Sequence, residues 1–389
     1  MWQGDYMADN TGNKKKKKKR GNIILFIVEI LILVILVGLI YVYAQINNGF
    51  RTMAGDSGNL DNILINENVA TNESLSGYTN VALVGIDTRY NNINEGNSDT
   101  MLVASINNDT GAVRIVSLYR DTYLNIDPEN DNWKFNKCNS AYAFGGVEQF
   151  LSMLNGNLDL NITEYVIVDF SAVATLVDDL DGIDILLTEE EIIHLNNYCV
   201  ETAEVTGMDY EPLQYERGQE VTEYHLNGVQ AVAYARIRYT VGDDLKRTQR
   251  QRLVIEKIVD KAKVKGITSI SKIINDVFPL IKTSFSSAQL TKMAAQMFNY
   301  NIEKTSGFPF ETLPCQIGSL DAIVPVTLKD NVVELHYYLF DEENYEVSNE
   351  VASYSQEIEE TSGFGQEYRE SAIEYGTVKD NGGEADITR

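Results

Sequence analysis

Four short segments gather the residue types that could do chemistry. Gly85-Ile86-Asp87-Thr88-Arg89 closes an apolar run with an aspartate and an arginine. Ser98-Asp99-Thr100 stands just before a second apolar run, and Ser117-Leu118-Tyr119-Arg120-Asp121 ends a third. The fourth is Ala235-Arg236-Ile237-Arg238, followed by Asp243, Asp244, Arg247, Arg250, Gln251 and Arg252. Two aspartates can hold a hard divalent cation such as Mg2+ (or Mn2+), which takes oxygen ligands, few from protein and the rest from water and substrate phosphate. Guanidinium forks suit phosphate oxygens better than ammonium groups do. Together these types allow metal-assisted chemistry on a phosphate. Five of the thirteen arginines fall between Arg236 and Arg252. On spacing alone, the better reading of that run is a solvated helix face with Asp243 and Asp244 as ion-pair partners. The occurrence of all four segments in order shifts the balance.

The elements that must position these residues are legible as hydrophobic pattern. Val81–Ile86, Met101–Ile106 and Ala112–Leu118 read as strands, with a turn over Asn107–Gly111. Ser140–Leu154 reads as a helix, Tyr165–Phe170 as a strand and Ser171–Leu180 as a helix. Asp181-Gly182 then turns into a strand at Ile183–Leu187. Val232–Arg238 reads as a strand, with an Ala-rich helix as the alternative. As a strand it would point Arg236 and Arg238 the same way. Leu245–Val264 is a helix by its apolar spacing, with Arg247 and Gln251 on one face of its first turns, where the helix end favours anions. Strands mixed with helices imply an α/β fold, a mixed central sheet flanked by helices as α-β-α layers. The aspartates and arginines then sit at strand ends, where loops present polar groups to ligands.

The chain has 389 residues, 44% of them hydrophobic, and a net charge of −25. That charge argues against nucleic acid, so any phosphate must be held by a local cluster of cations. Cys138, Cys199 and Cys315 show no metal or disulfide pattern and read as small packed thiols; His194, His225 and His336 are scattered. Ile23–Tyr43 is almost wholly apolar apart from Glu29, long enough to span a bilayer as one transmembrane helix. Lys14–Arg20 directly before it predicts a cytoplasmic N-terminus and an exported remainder at the cell membrane. A cleaved signal peptide is the rival, with an apolar core of about 7–15 residues. The expected organisation is a basic tail (1–22), the span (23–43), a linker (44–77), a catalytic domain (78–310) and an acidic, partly disordered extension (311–389). Residues 341–389 carry fourteen acidic and three basic side chains.

In this order, the segments resemble the LytR–CpsA–Psr family of cell-envelope enzymes, from about Thr79 to Val264. VALVGIDTR (81–89), SDTMLVASIN (98–107) and KCNSAYAFGG (137–146) are similar to family segments. IVSLYRDTYL (115–124) resembles S-x-P-R-D-T with Tyr119 for Pro, and LNGVQAVAYARIR (226–238) with DLKRTQRQR (244–252) completes the match. The resemblance implies an apolar channel for a polyprenyl chain. It also implies phosphotransfer from a polyprenyl-pyrophosphate-linked glycopolymer, of wall teichoic acid or capsule type, to a peptidoglycan hydroxyl. Asp87 and Asp99 match the Mg2+ aspartates. Arg120, Lys137, Arg236, Arg238, Asp244, Arg247 and Gln251 fall in segments implied to hold pyrophosphate or its surroundings. Where the family commonly has Arg two positions before the second Asp, this chain has Asn97, and Arg89 is the candidate replacement. Arg120 would stabilise charge, and Asp87 or Asp121 would take the acceptor proton. A hydrolase releasing polyprenyl phosphate and a non-catalytic polymer-binding scaffold are the rival readings.

Overall fold

In the computed structural model, the described residues are 62–86, 98–238, 243–265, 272–273, 275–286, 289, 293 and 296–368. Residues 23–43, the expected transmembrane span, lie outside them. Among the described residues no helix is long and apolar enough to cross a membrane.

The strands are β1 (Tyr78–Ile86), β2 (Ser98–Asn107), β3 (Ala112–Leu118), β4 (Tyr123–Asn125), β5 (Phe135–Lys137), β6 (Glu164–Val168), β7 (Ile183–Leu187), β8 (Thr222–Leu226), β9 (Lys282–Thr283), β10 (Asn301–Phe308), β11 (Thr312–Ile317) and β12 (Leu320–Pro325). The helices that matter are α1 (Ser140–Leu158), α2 (Phe170–Asp179), α3 (Glu189–Thr206), α4 (Gly228–Arg236), α5 (Asp243–Lys265), α6 (Leu328–Phe340) and α7 (Asn349–Ser362). The central sheet has the order β10-β3-β2-β1-β6-β9. It is mixed: β1 pairs antiparallel with β2 and parallel with β6, and β3 pairs parallel with β10. This is the expected α/β class.

The two faces of the sheet differ. Alternation along the strands sends Ala82, Val84, Ile86, Met101, Val103 and Ile167 into the main core, which α1, α6 and α7 cover. On the opposite face Leu102, Ala104 and Ile115 are buried under Ile255 of α5, while Leu83 and Val113 stay half-buried. Val166 and Val168, on β6 beside Leu83 and Gly85, are also half-buried. The second face is therefore apolar but incompletely covered.

Three expectations are corrected here. Residues 228–236 form a helix, not a strand over Val232–Arg238. Asn227 caps it, accepting from the Gln230 N–H at 3.0 Å while the Gln230 side chain takes the Asn227 N–H at 2.8 Å. Gly228 lets it dock on α2: a Cβ there would lie 2.1 Å from the Ala174 carbonyl oxygen. Second, the supposed linker is ordered before residue 78. Helical turns at Glu67–Ala70 and Glu73–Ser76 bury Val69 and Leu75 in the main core. Third, the boundary at 310 does not survive, and residues 341–362 of the expected tail pack in order; residues 369–389 lie outside the described residues. Phe308, Val324, Leu328 and Val332 share one core with Val351, Tyr354 and Ile358 of α7. A buried aspartate ties these ends together: Asp159 accepts from Asn66 Nδ2 at 2.6 Å and from the Ser348 N–H at 2.7 Å.

Candidate functional site

β2 runs antiparallel to β1 and β3, so its N-terminal end shares one sheet edge with their C-terminal ends. Counting three residues outward along each strand from the Leu102–Ser117 pair reaches Asp99 and Arg120. Their side chains meet there, Arg120 Nη1 donating to Asp99 Oδ1 at 3.1 Å. The pairing slips at this point. Gly85 faces Thr100 but Ile86 faces Ser98, which leaves Asp99 as an extra residue in β2. Such a bulge bends the strand and re-aims the side chain. Gly85 permits the approach, since a Cβ there would stand 2.8 Å from Thr100 Cβ. Ser98 is pinned by the Asn139 carbonyl, which accepts its N–H at 3.4 Å and its hydroxyl at 3.3 Å. The Asn139 N–H in turn donates to the Arg120 carbonyl at 3.2 Å.

Two further arginines converge on Asp99. Arg238 Nη2 donates to Oδ2 at 3.3 Å, and Arg247 Nη2 donates to the backbone carbonyl at 3.4 Å. Arg247 is buried at the start of α5, whereas Asp99, Arg120 and Arg238 keep 26%, 24% and 34% of their side chains exposed. The cluster is thus shielded behind and open in front. Among the described residues three guanidiniums meet at Asp99, and a second carboxylate, Asp121, lies 3.7 Å from Arg120 Nε with the Lys137 ammonium on its other oxygen. Cations gathered at a partly desolvated edge attract a multiply charged anion.

Arg236 takes no part in this cluster. Because 228–236 is helical, it does not share a direction with Arg238. Its Nη1 donates to Thr202 Oγ1 at 2.7 Å and its Nη2 to Glu201 at 2.8 Å, and the guanidinium lies 4.5 Å from the Phe170 ring centroid. Arg250 is likewise structural in its contacts, donating to Glu191 at 3.0 Å and to the Ile237 carbonyl at 3.3 Å. Gln251 is half-buried one turn after Arg247. Asp87, Arg89 and Asn97 lie outside the described residues, as does the side chain of Asp244.

Asp121 stands beside Arg120 and pairs with Lys137, Nζ to Oδ1 at 3.1 Å. Its backbone is braced by a strand that no motif announced. The Ile323 N–H of β12 donates to the Asp121 carbonyl at 2.8 Å, and Ile323 packs with Tyr119 and Leu245. The Tyr119 ring lies over Gly307 of β10, where a Cβ would come within 2.1 Å of its hydroxyl oxygen. Cys138 is fully buried behind the loop. Its thiol faces the Tyr119 and Arg120 carbonyls at 3.3 and 3.4 Å, and burial pushes its pKa up, away from nucleophilic use. It is packing, as the sequence suggested.

The LytR_cpsA_psr family pattern matches residues 41–350. The chain belongs to this family. A relative from Enterococcus faecalis, named polyisoprenyl-teichoic acid–peptidoglycan teichoic acid transferase TagU, is 32% identical over 217 residues, 55% of this chain and 64% of the relative. The chain therefore spans somewhat less than two thirds of that relative's length. Among solved structures, protein gbs0355 from Streptococcus agalactiae aligns with a TM-score of 0.54 at 23% identity, over 72% of this chain and 93% of that one. A structure described as TagT bound to LI-WTA aligns with a TM-score of 0.51 at 21% identity, over 69% and 93%. These structures share the fold. The LytR–CpsA–Psr match runs past residue 310, in keeping with a core that includes β11, β12 and α6.

Proposed function

We propose that this chain is a phosphotransferase that moves an anionic glycopolymer from a polyprenyl-pyrophosphate carrier to a peptidoglycan hydroxyl. The observation that carries the reading is Asp99 clasped by Arg120 and Arg238, with Arg247 behind, at an open sheet edge. The names of the relatives support it: TagU is called a teichoic acid transferase, and one TagT structure is described as bound to LI-WTA. The half-covered apolar face bearing Leu83, Val113, Val166 and Val168 is the surface on which a polyprenyl chain would lie.

Phosphoryl transfer depends mostly on positioning and charge neutralisation, and needs no covalent nucleophile on the protein. Arg120 and Arg238 hold the non-bridging pyrophosphate oxygens, and buried Arg247 fixes the Asp99 backbone beneath them. The acceptor hydroxyl oxygen forms the new bond to the glycopolymer phosphorus. The phosphoanhydride bond breaks, polyprenyl phosphate leaves, and the hydroxyl proton passes to Asp87 or Asp121. Asp99 offers hard oxygens that fit Mg2+ or Mn2+, with Asp87 as its partner. Mg2+ takes few protein ligands, so water and substrate phosphate would fill the rest of the shell. When bound, the metal would neutralise pyrophosphate charge. Residues 23–43 would anchor the chain, with the catalytic domain outside the membrane.

Full-length protein in membranes, given lipid-linked donor and peptidoglycan, tests this. Metal-dependent polymer transfer, lost in Arg238→Ala, is expected. Free glycopolymer phosphate as the main product would establish a hydrolase, and binding without turnover a scaffold.

A further inference from the structure

Arg250 is buried on α5, three residues after Arg247 and so its neighbour along one side of the helix. Arg247 donates to the Asp99 carbonyl, and Arg250 Nη1 donates to the Ile237 carbonyl at 3.3 Å. Ile237 follows the last residue of α4 and directly precedes Arg238, whose Nη2 reaches Asp99 Oδ2. The Ile237 carbonyl and the Arg238 N–H belong to one planar peptide. A bond that fixes the carbonyl therefore also fixes the direction in which the chain enters Arg238. The rest of Ile237 is fixed as well. Its side chain is fully buried in the core shared by α3 and α4, and its N–H donates to the Tyr234 carbonyl at 3.2 Å. Arg250 is locked in turn. Its Nε donates to Glu191 Oε1 at 3.0 Å, and Glu191 Oε2 accepts from the Thr188 N–H at 3.1 Å and hydroxyl at 3.2 Å in the capping box of α3. The Tyr234 ring centroid lies 5.8 Å from the guanidinium carbon. The cation stands at the C-terminal end of α4, the end of a helix that favours positive charge.

We propose that Arg250 is a positioning residue, which through the Ile237 carbonyl aims Arg238 at Asp99 and at the pyrophosphate. This deepens the transfer reading above and rests on it. An ion pair that only tied α5 to α3 would need Glu191 and nothing more. The second bond, to the carbonyl just before Arg238, joins that pair to the site. α5 thereby steadies both halves of the Asp99–Arg238 contact from behind, Arg247 at one backbone carbonyl and Arg250 at the other. A guanidinium fork serves Glu191 and Ile237 at once from fixed directions. A lysine ammonium would keep the charge but is a point donor on a flexible stem. Moving a contact to the reacting groups by about 1 Å can lower the rate on the order of 10²-fold.

The test titrates full-length protein in detergent, with Mg2+ present, with farnesyl pyrophosphate. Arg250→Lys should weaken binding about tenfold or more. Placed in Arg238→Ala, where Arg120 remains to bind the probe, the same change should weaken binding less than about twofold, because the residue it positions is gone. In the transfer assay Arg250→Lys should lower kcat about tenfold or more and leave the acceptor KM within about twofold. If Arg250→Lys fails to fold, Glu191→Gln decides. Its amide oxygen can still accept from Thr188, while its NH2 cannot accept from Arg250. It should weaken farnesyl pyrophosphate binding in the parent and not in Arg238→Ala. Equal weakening in the two backgrounds would make Arg250 a residue of the fold alone and overturn the proposal, as would an Arg250→Lys protein that binds and transfers like the parent. A parent that transfers nothing yet shows the coupling to Arg238 would sink the transferase reading and leave the positioning role standing. A parent that binds no farnesyl pyrophosphate would overturn both.

Discussion

Arg120 reaches Asp99 at 3.1 Å because the strand before one and the strand after the other pair antiparallel, and a bulge leaves Asp99 unopposed by β1. With Arg238 on the second oxygen at 3.3 Å, the carboxylate holds both guanidiniums at the mouth of the site. Asp99→Asn should therefore slow transfer by about 10²–10³-fold, the scale for removing one electrostatic contact to a reacting group. The thermal midpoint should move little, since the pair is partly exposed. Measuring transfer and unfolding on the same preparation checks both halves; a fully active Asp99→Asn would remove the aspartate from the site.

Arg236 and Arg238 separate in their consequences. Arg236 joins α4 to α3 through Glu201 and Thr202 with 12% of its side chain exposed, so Arg236→Ala should cost about 2 kcal/mol of stability. Its activity per folded molecule should stay within a few fold of the parent. Arg238→Ala should do the reverse. An Arg236→Ala protein that unfolds normally but transfers nothing would return Arg236 to the pyrophosphate.

Tyr119 and Gly307 are shaped for each other. Gly307→Ala puts a Cβ 2.1 Å from the Tyr119 hydroxyl oxygen and 2.4 Å from Cζ, overpacking that should cost about 1–3 kcal/mol. Displacing Tyr119 also moves Arg120, so transfer should fall with stability. Tyr119→Ala in the same chain should relieve both effects, giving a coupling of at least about 1 kcal/mol in a double-mutant cycle. Additive effects of the two substitutions would show that the ring is free to move aside.

His336 on α6 makes the fold pH-dependent. Its ring is fully buried, stacked on Tyr345 at 3.5 Å, with Nε2 3.2 Å from the Leu158 carbonyl and Nδ1 3.4 Å from Glu342. Burial lowers its pKa below the ordinary 6.5, against the opposing pull of the Leu158 carbonyl, Asp159 and Glu342. The unfolded chain then binds the proton more readily than the folded one. This stabilisation is complete above about pH 6.5 and is lost as pH falls towards the folded pKa. Unfolding midpoints between pH 7.5 and 5 should drop for the parent and drop less for His336→Gln. Parallel curves for the two proteins would remove His336 as the cause.

The sequence by itself determined the elements whose pattern is local. Ala112–Leu118 and Ile183–Leu187 are the strands that apolar runs and flanking turns predicted, and α5 follows its helical apolar spacing. The reactive segments could be seen to end or begin strands, which was enough to select the family. The rest depended on burial. Residues 228–234 are buried on every side, so no amphipathic period distinguishes helix from strand there. Within the acidic stretch after residue 341, α7 carries Glu350, Glu357, Glu359 and Glu360, while its Val351, Tyr354 and Ile358 form a stripe that reads as core only against α1 and α6. Which arginines share a ligand was likewise a tertiary matter. Arg236 and Arg238 are two residues apart in the chain, yet the end of α4 sends one to Glu201 and the other to Asp99. A charged side chain goes to the partner that folding places within its reach, and sequence spacing contains no such distance.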